Sequence, residues 1–322
     1  MKITLKVFAL IAAVCSAVSF VSCSKSKAQN LKEVRFATNP FVGNAPFYVA
    51  FEKGYFAQEG IDFKLQNYEE STSACTALIT GNAEIVYTTL DAALITESQT
   101  AENKLKVFQI VDESYGADGI LAKNEITKLE DLAGKTIGVS IGQTTHYLLL
   151  QALNKAGLKD TDVNLLDLNS SDAGVAFMSG SLDAAVTWEP YLSNAVTNGS
   201  GKIIFSSVDA PGAIVDIMAV KTSDEDADWV EKFQKAYDKG LSFVNDPATK
   251  DEAYRITAKY LDTDAEEVAA MIPTVKLYSS SDSKTGLAAD AVGYMAVKNI
   301  SDFYFGKSII SRQIDPEVVI KK

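Results

Sequence analysis

From Val34 to Lys221 the chain alternates short runs rich in Val, Ile and Phe with longer stretches of helical period. That alternation restricts it to an α/β fold with helices on both faces of a sheet. Strands are predicted at VRFAT (34–38), IDFKLQ (61–66), EIVYT (84–88) and KVFQIV (106–111), with helices over 45–56, 73–79 and 91–98 and Gly60 and Gly81 as stop signals. The pattern restarts after a boundary near 127–135. It continues through KTIGVS (135–140), VNLLDL (163–168), DAAVTW (183–188) and KIIFSS (202–207), with helices near 145–156, 172–178 and 190–196. Beyond Lys221 it turns mostly helical, over 226–245, 247–260, 265–271 and 284–305. Pro247 after Asp246 suits a helix start, an N-cap followed by a residue that needs no amide hydrogen.

The chain has 322 residues, 47% of them hydrophobic and 22% charged, a globular composition that excludes a disordered, collagenous or multi-span membrane protein. That length exceeds what one hydrophobic core normally serves, so two lobes are expected. The net charge is −12. A chain this acidic has no electrostatic footprint for DNA or RNA. One histidine, His146, and three cysteines, Cys15, Cys23 and Cys75, argue against a zinc or iron site built from side chains. Cys75 sits in SACTALITG, where Ala74, Ala77 and Leu78 share one helical face, and reads as a buried apolar thiol.

The first 22 residues combine a basic start, Lys2 and Lys6, with an apolar run from Val7 to Val21 too short to span a membrane. Phe20-Val21-Ser22-Cys23 and the polar SKSKAQN that follows resemble a bacterial lipoprotein signal, with Cys23 as the lipidated first mature residue. Phe20 departs from the leucine usual three places before that cysteine. An ordinary cleaved signal peptide is the alternative, and both readings export the protein. Residues 23–33 are expected to be a flexible tether.

Five segments carry a family resemblance: NAPFYVAFEKGYFAQEGIDFKL (44–65), ALITGNAEIVYTTLDAAL (77–94), LEDLAGKTIGVSIGQTTHYLL (129–149), FMSGSLDAAVTWEPYLSNA (177–195) and APGAIVDIMAV (210–220). They resemble the extracytoplasmic solute-binding proteins of ABC importers, in the nitrate/sulfonate/taurine/thiamine-precursor group. The resemblance implies a type II periplasmic-binding-protein fold, two α/β lobes with two crossing hinge strands and a solute closed between them. Crossings are expected near 119–123 and 214–219. Lobe 1 would comprise 34–122 plus 215–322, and lobe 2 would comprise 123–214. The implied partners are a small solute, a permease and an ATPase. The expected state is a monomer tethered by lipid on the outer side of the membrane, without a cofactor.

Helix N-termini at the carboxyl ends of strands offer unpaired amides to an anion without any Lys or Arg. Four segments are placed for this: Asn44 to Pro46, Ser71-Thr72-Ser73, Thr88-Thr89, and Gln143-Thr144-Thr145. Plain N-capping explains each equally well. The chain's three arginines, Arg35, Arg255 and Arg312, lie outside all four, which speaks against a bare di-anion clamped by guanidinium. Nitrate and bicarbonate are weakened for the same reason.

Two acids fall instead where the family pattern puts the cleft: Glu189 in Trp188-Glu189-Pro190, and Asp216 between Val215 and Ile217. A half-buried Asp216 must be paired, either by a ligand amine or by a backbone amide. Glu189 suits orienting the turn before a helix, and Trp188 either walls the pocket or packs in the core. Tyr48, Tyr68, Tyr87, Tyr115 and Tyr147 are further candidates for the lining. The solute is expected to be a small zwitterion or an aminated ring, taurine-like or a thiamine-pyrimidine precursor. Its acceptor end would meet Ser71–Ser73 and Gln143–Thr145, and its amine would meet Asp216.

An enzymatic reading, by analogy with a fungal thiamine-pyrimidine synthase of the same fold, needs a Cys-rich, His-dependent iron site. This chain offers one histidine and one core-like cysteine, and has no GxSxG turn. A ligand sensor docking to a receptor remains the other alternative to transport.

Overall fold

A computed structural model describes residues 31–321. The expected signal peptide, Cys23 and most of the expected tether lie outside the described residues. Lys32 and Glu33, expected in the tether, already pair with Ile61 and Asp62.

The chain begins with β1 (Lys32–Thr38), α1 (Ala45–Glu52), α2 (Tyr55–Gln58), β2 (Ile61–Asn67), α3 (Ser71–Ile79), β3 (Ile85–Thr89), α4 (Leu90–Ser98) and β4 (Leu105–Ser114). It continues with β5 (Asp118–Ala122), β6 (Thr136–Val139), α5 (Thr144–Lys155), β7 (Asn164–Asp167), α6 (Ser170–Met178), β8 (Ala184–Trp188), α7 (Tyr191–Thr197) and β9 (Lys202–Ser206). The last third holds β10 (Val215–Lys221), α8 (Asp228–Asn245), α9 (Lys250–Leu261), α10 (Ala265–Met271), β11 (Val275–Leu277), α11 (Ser280–Gly286), α12 (Val292–Gly306) and α13 (Pro316–Val319).

Two sheets result, ordered β11-β4-β10-β3-β1-β2 and β7-β6-β8-β5-β9. Each has a parallel set, β2-β1-β3 or β7-β6-β8, and beside it one antiparallel strand, β10 or β5, that the chain supplies on arriving from the other sheet. The two strands thus hold equivalent places. The connections between sheets run through Tyr115–Ala117 and Ser207–Ile214. The first precedes the 119–123 stretch expected for it, because β5 pairs wholly within the second sheet, with β8 and β9.

Local sequence explains the elements. In α8, Val230, Phe233, Tyr237, Leu241 and Val244 recur every three or four residues and are all buried. Gly240 lets that helix lie directly on the Pro46 carbonyl, where a Cβ would overlap it. The Phe233 ring meets those of Phe36, Phe47 and Phe56 at centroid distances of 5.7, 6.1 and 4.7 Å. Each such buried ring contributes about 1.5–3 kcal/mol.

Three expected elements differ. The 45–56 helix is broken at Gly54, which adopts a φ of 69°. The 247–260 helix starts at Lys250 instead, because the Asp246 carboxylate accepts from the Ala248 amide at 2.9 Å and holds a turn there. The 284–305 helix is two, α11 and α12, with Asp290 at a φ of 64° between them.

Candidate functional site

The carboxyl ends of the central strands converge on a small cavity of about 40 Å³, room for two or three waters. Ser71 at the start of α3, Thr88 and Thr89 at the end of β3, and Thr144 at the start of α5 line it with hydroxyls. Asn39, Phe41, Ile214 and Trp188 give further wall, and Tyr87, Asp118 and Asp216 complete it. No Lys, Arg or His is among the lining residues.

The expected site residues divide sharply. Ser71, Thr88, Thr89, Thr144, Trp188 and Asp216 come together here, and of the five tyrosines considered Tyr87 does. Asn44 does not line the cavity: its amide donates to the Asn39 carbonyl at 2.8 Å and its oxygen accepts from Thr38 at 3.2 Å. Pro46 lies beneath α8. Thr72, half-buried, and Ser73, exposed, do not line the cavity, and the Thr72 carbonyl accepts from the Thr76 hydroxyl. Gln143 caps α5 without a side-chain bond, and Thr145 is buried against Ser170 at 3.2 Å. Glu189 accepts from the Ser193 amide and hydroxyl at 3.0 and 2.7 Å, which holds the first turn of α7. His146 Nδ1 accepts from the Gly142 amide at 3.0 Å, away from the cavity, and burial lowers its pKa. The Cys75 thiol is buried beside Thr88, and burial pushes it up to about 12, too high for a reactive thiolate.

Thr144 spans the two halves. Its hydroxyl lies 2.8 and 2.9 Å from the two carboxylate oxygens of Asp91 in α4 and 3.2 Å from Thr89. Asp91 is also bonded by the Tyr304 hydroxyl at 3.0 Å. At the connection between sheets, Ser114 Oγ donates to Asp118 at 2.7 Å and lies 2.8 Å from Ser207 Oγ, which accepts from the Gly116 amide at 2.7 Å.

The carboxylates of the cavity are poorly supplied with donors. Asp216 pairs in register with Asp112 across β10 and β4 and with Thr89 across β10 and β3. The Tyr87 hydroxyl is 2.6 Å from Asp112 Oδ2 and 3.2 Å from Asp216 Oδ2, and its single proton serves one of them at a time. Among the described residues Asp112 Oδ1 and Asp216 Oδ1 find no hydroxyl, amide or cationic donor, and the two carboxyls lie within hydrogen-bonding reach of one another. Gly43 closes the far side, where a Cβ would overlap the Tyr87 hydroxyl and the Asp112 carboxylate. Burial raises the Asp216 pKa well above the carboxylate range, and the Asp112 and Asp118 charges add to it. Burial raises Asp112 too, and pushes Asp118 up to about 6.

Sequence reasoning missed Asp118, which carried the same signal as Asp216: a lone acid heading an apolar run, Gly119-Ile120-Leu121-Ala122. Asp112, the register partner of Asp216 in β4, went unremarked too, directly after the apolar run expected as a strand.

Comparison with known proteins places the chain. The profile of the family described as NMT1/THI5 like matches residues 43–249. A Bacillus subtilis protein provisionally named for binding aliphatic sulfonates is 25% identical over 300 residues, 91% of this chain and 86% of that one. A taurine-binding periplasmic protein of Escherichia coli is 29% identical over 163 residues, 50% of each chain. Among solved structures, the periplasmic aliphatic sulphonate-binding protein SsuA of Escherichia coli superposes with a TM-score of 0.77, covering 90% of this chain and 92% of its own at 19% identity. The fold is therefore the type II periplasmic-binding-protein fold.

Proposed function

The chain belongs to the NMT1/THI5-like family, and from that premise we propose that it is the solute-binding component of an ABC importer, not an enzyme. In this reading the two sheets are the cores of two lobes, residues 1–22 export the chain, and Cys23 carries the lipid that anchors the monomer. The cavity closes on a small solute and the closed form is handed to a permease and its ATPase.

Asp216 carries the ligand reading. It lines the cavity, is 6% exposed, and keeps one carboxylate oxygen without a donor. A buried acceptor left open at a strand end is costly unless a ligand fills it. We assign it the amine of the solute. The Ser71 hydroxyl and the first amides of α3 and α5 meet the acceptor or anionic end, while the Thr144 proton stays on Asp91. Taurine-like aminosulfonates satisfy both ends, and the relatives named for sulfonates and taurine support them. An aminopyrimidine of the thiamine-precursor kind satisfies the acid wall equally, with ring nitrogens on the hydroxyls.

A thermal-shift screen against taurine, alkanesulfonates, nitrate, aminopyrimidines and amino acids tests this, since a solute that binds only the folded state raises the melting temperature. Taurine or an aminopyrimidine is expected to raise it. Stabilisation by nitrate alone would contradict the assignment.

A further inference from the structure

We propose that Asp118 and Asp216, one from each sheet, form a carboxylate clamp closed by the positively charged or N–H-rich end of the solute, so that Asp118 selects against solutes lacking such an end. The inference rests on the solute-capture reading and adds to it a second ligand-facing acid and a condition for closure.

Topology makes the clamp. β5 and β10 are the equivalent antiparallel strands of the two sheets, and Asp118 and Asp216 stand first and second in them, next to the connections between sheets. Both line the same cavity, 5% and 6% exposed. Whatever brings the halves together brings these two carboxylates together. Asp118 has the Ser114 hydroxyl as its donor. Asp216 shares the Tyr87 hydroxyl with Asp112, and its Oδ1 has none.

The surroundings add negative charge, offset at Glu113 by Lys276 at 4.0 Å. Asp91, Asp112, Glu113 and Glu189 lie about the pair, and the cavity wall holds no cationic side chain. Asp91 and Glu189 are already bonded, by Thr144 and Tyr304 and by Ser193. Glu113 accepts from the Gly212 amide and the Tyr278 hydroxyl. Among the described residues, the buried carboxylate oxygens left open are Oδ1 of Asp216 and Oδ1 of Asp112 behind it. In the empty cavity burial and the neighbouring carboxylates work against ionising the pair, and a cation between them reverses the sign.

The cation is organic. No group of three His, Cys, Asp or Glu side chains among the described residues is arranged to hold a metal ion. A cavity of about 40 Å³ admits a compact head such as an ammonium or amidinium group, whose N–H bonds reach two separate carboxylates.

Calorimetry on the full chain at pH 7.5 compares taurine with isethionate, which keeps the sulfonate and replaces the ammonium by a hydroxyl, and adds 4-aminopyrimidine and ethylammonium. The wild type is expected to bind at least one of the N–H probes about 100-fold more tightly than isethionate, as sites built around a buried hydrogen-bonding group do. Asp118→Asn and Asp216→Asn should each weaken that probe by about tenfold or more and bring taurine and isethionate nearly level. Melting temperatures of both variants, expected at or above wild type, establish that they fold. If either does not fold, the wild-type preference and the other variant decide. Equal wild-type binding of taurine and isethionate, or N–H probe binding untouched by Asp118→Asn, overturns the clamp and leaves solute capture standing. Silence of every probe, sulfonate and amine alike, overturns both.

Discussion

Glu97 and Asp216 are both buried carboxylates, 1% and 6% exposed, and burial raises both, but the molecule supplies donors to the first and withholds them from the second. Glu97 accepts from the Lys104 and Leu105 amides and from Arg312, at 3.1 to 3.2 Å. Glu84, just before β3, is pushed up by burial, yet bonds from the Arg35 guanidinium and amide bring it below the usual range. Asp216 has a shared tyrosine proton and an oxygen with no hydroxyl, amide or cationic donor. Where a carboxylate serves the fold, donors surround it. In the cavity they are withheld, which is the arrangement a binding site needs if the missing donor is to arrive with the solute.

The sharpest way to break this contrast is to remove the acid from one place and the cation from the other. Asp216→Asn is expected to weaken an ammonium solute by about 100-fold, or about 2.7 kcal/mol, in a titration that leaves the fold intact. Arg312→Leu should act on the fold alone: stripped of its cation, Glu97 costs about 2 kcal/mol in denaturant unfolding, with solute affinity unchanged. An effect of Arg312→Leu on affinity, or of Asp216→Asn on stability alone, would erase the distinction.

Acidity sharpens it further. Asp118 titrates at about 6 in the folded chain against an ordinary 3.8, so the folded state holds the proton longer than the unfolded one. Its contribution to stability therefore falls as pH rises through that window and is unfavourable above it. Asp118→Asn should raise the stability of the unliganded protein by about 1–3 kcal/mol at pH 8 and give no gain below pH about 3.8. The smallest expected effect is that of Glu189→Gln, whose oxygens face Ser193. It should change solute affinity less than about twofold.

Much of this was legible in the sequence because it obeys local periodicity. β10 reads as a strand buried on both faces, and one acid in it is conspicuous at once. Asp118 escaped notice because its run is short and flanked by Gly116 and Gly119, and reads as a connection until pairing with β8 and β9 buries it. The helix starts show the other limit. Ser71, Thr144 and Asn44 carry similar signals, yet the Asn44 amide is satisfied by Asn39 and Thr38, because which capping residue faces the cleft depends on how each helix is rotated against its sheet. β11, three residues long, is held by pairing with β4 and has no periodicity of its own.

The most direct test of donorless carboxyls awaiting a cation is the proton balance of binding. Titrating taurine, or whichever ammonium solute the screen returns, at pH 7 in two buffers of different ionisation enthalpy reads the protons exchanged. Burial holds protons on Asp112 and Asp216 in the empty site, and an arriving cation lowers both acids, so binding should release up to about one proton. Proton uptake, or none exchanged, would contradict the account.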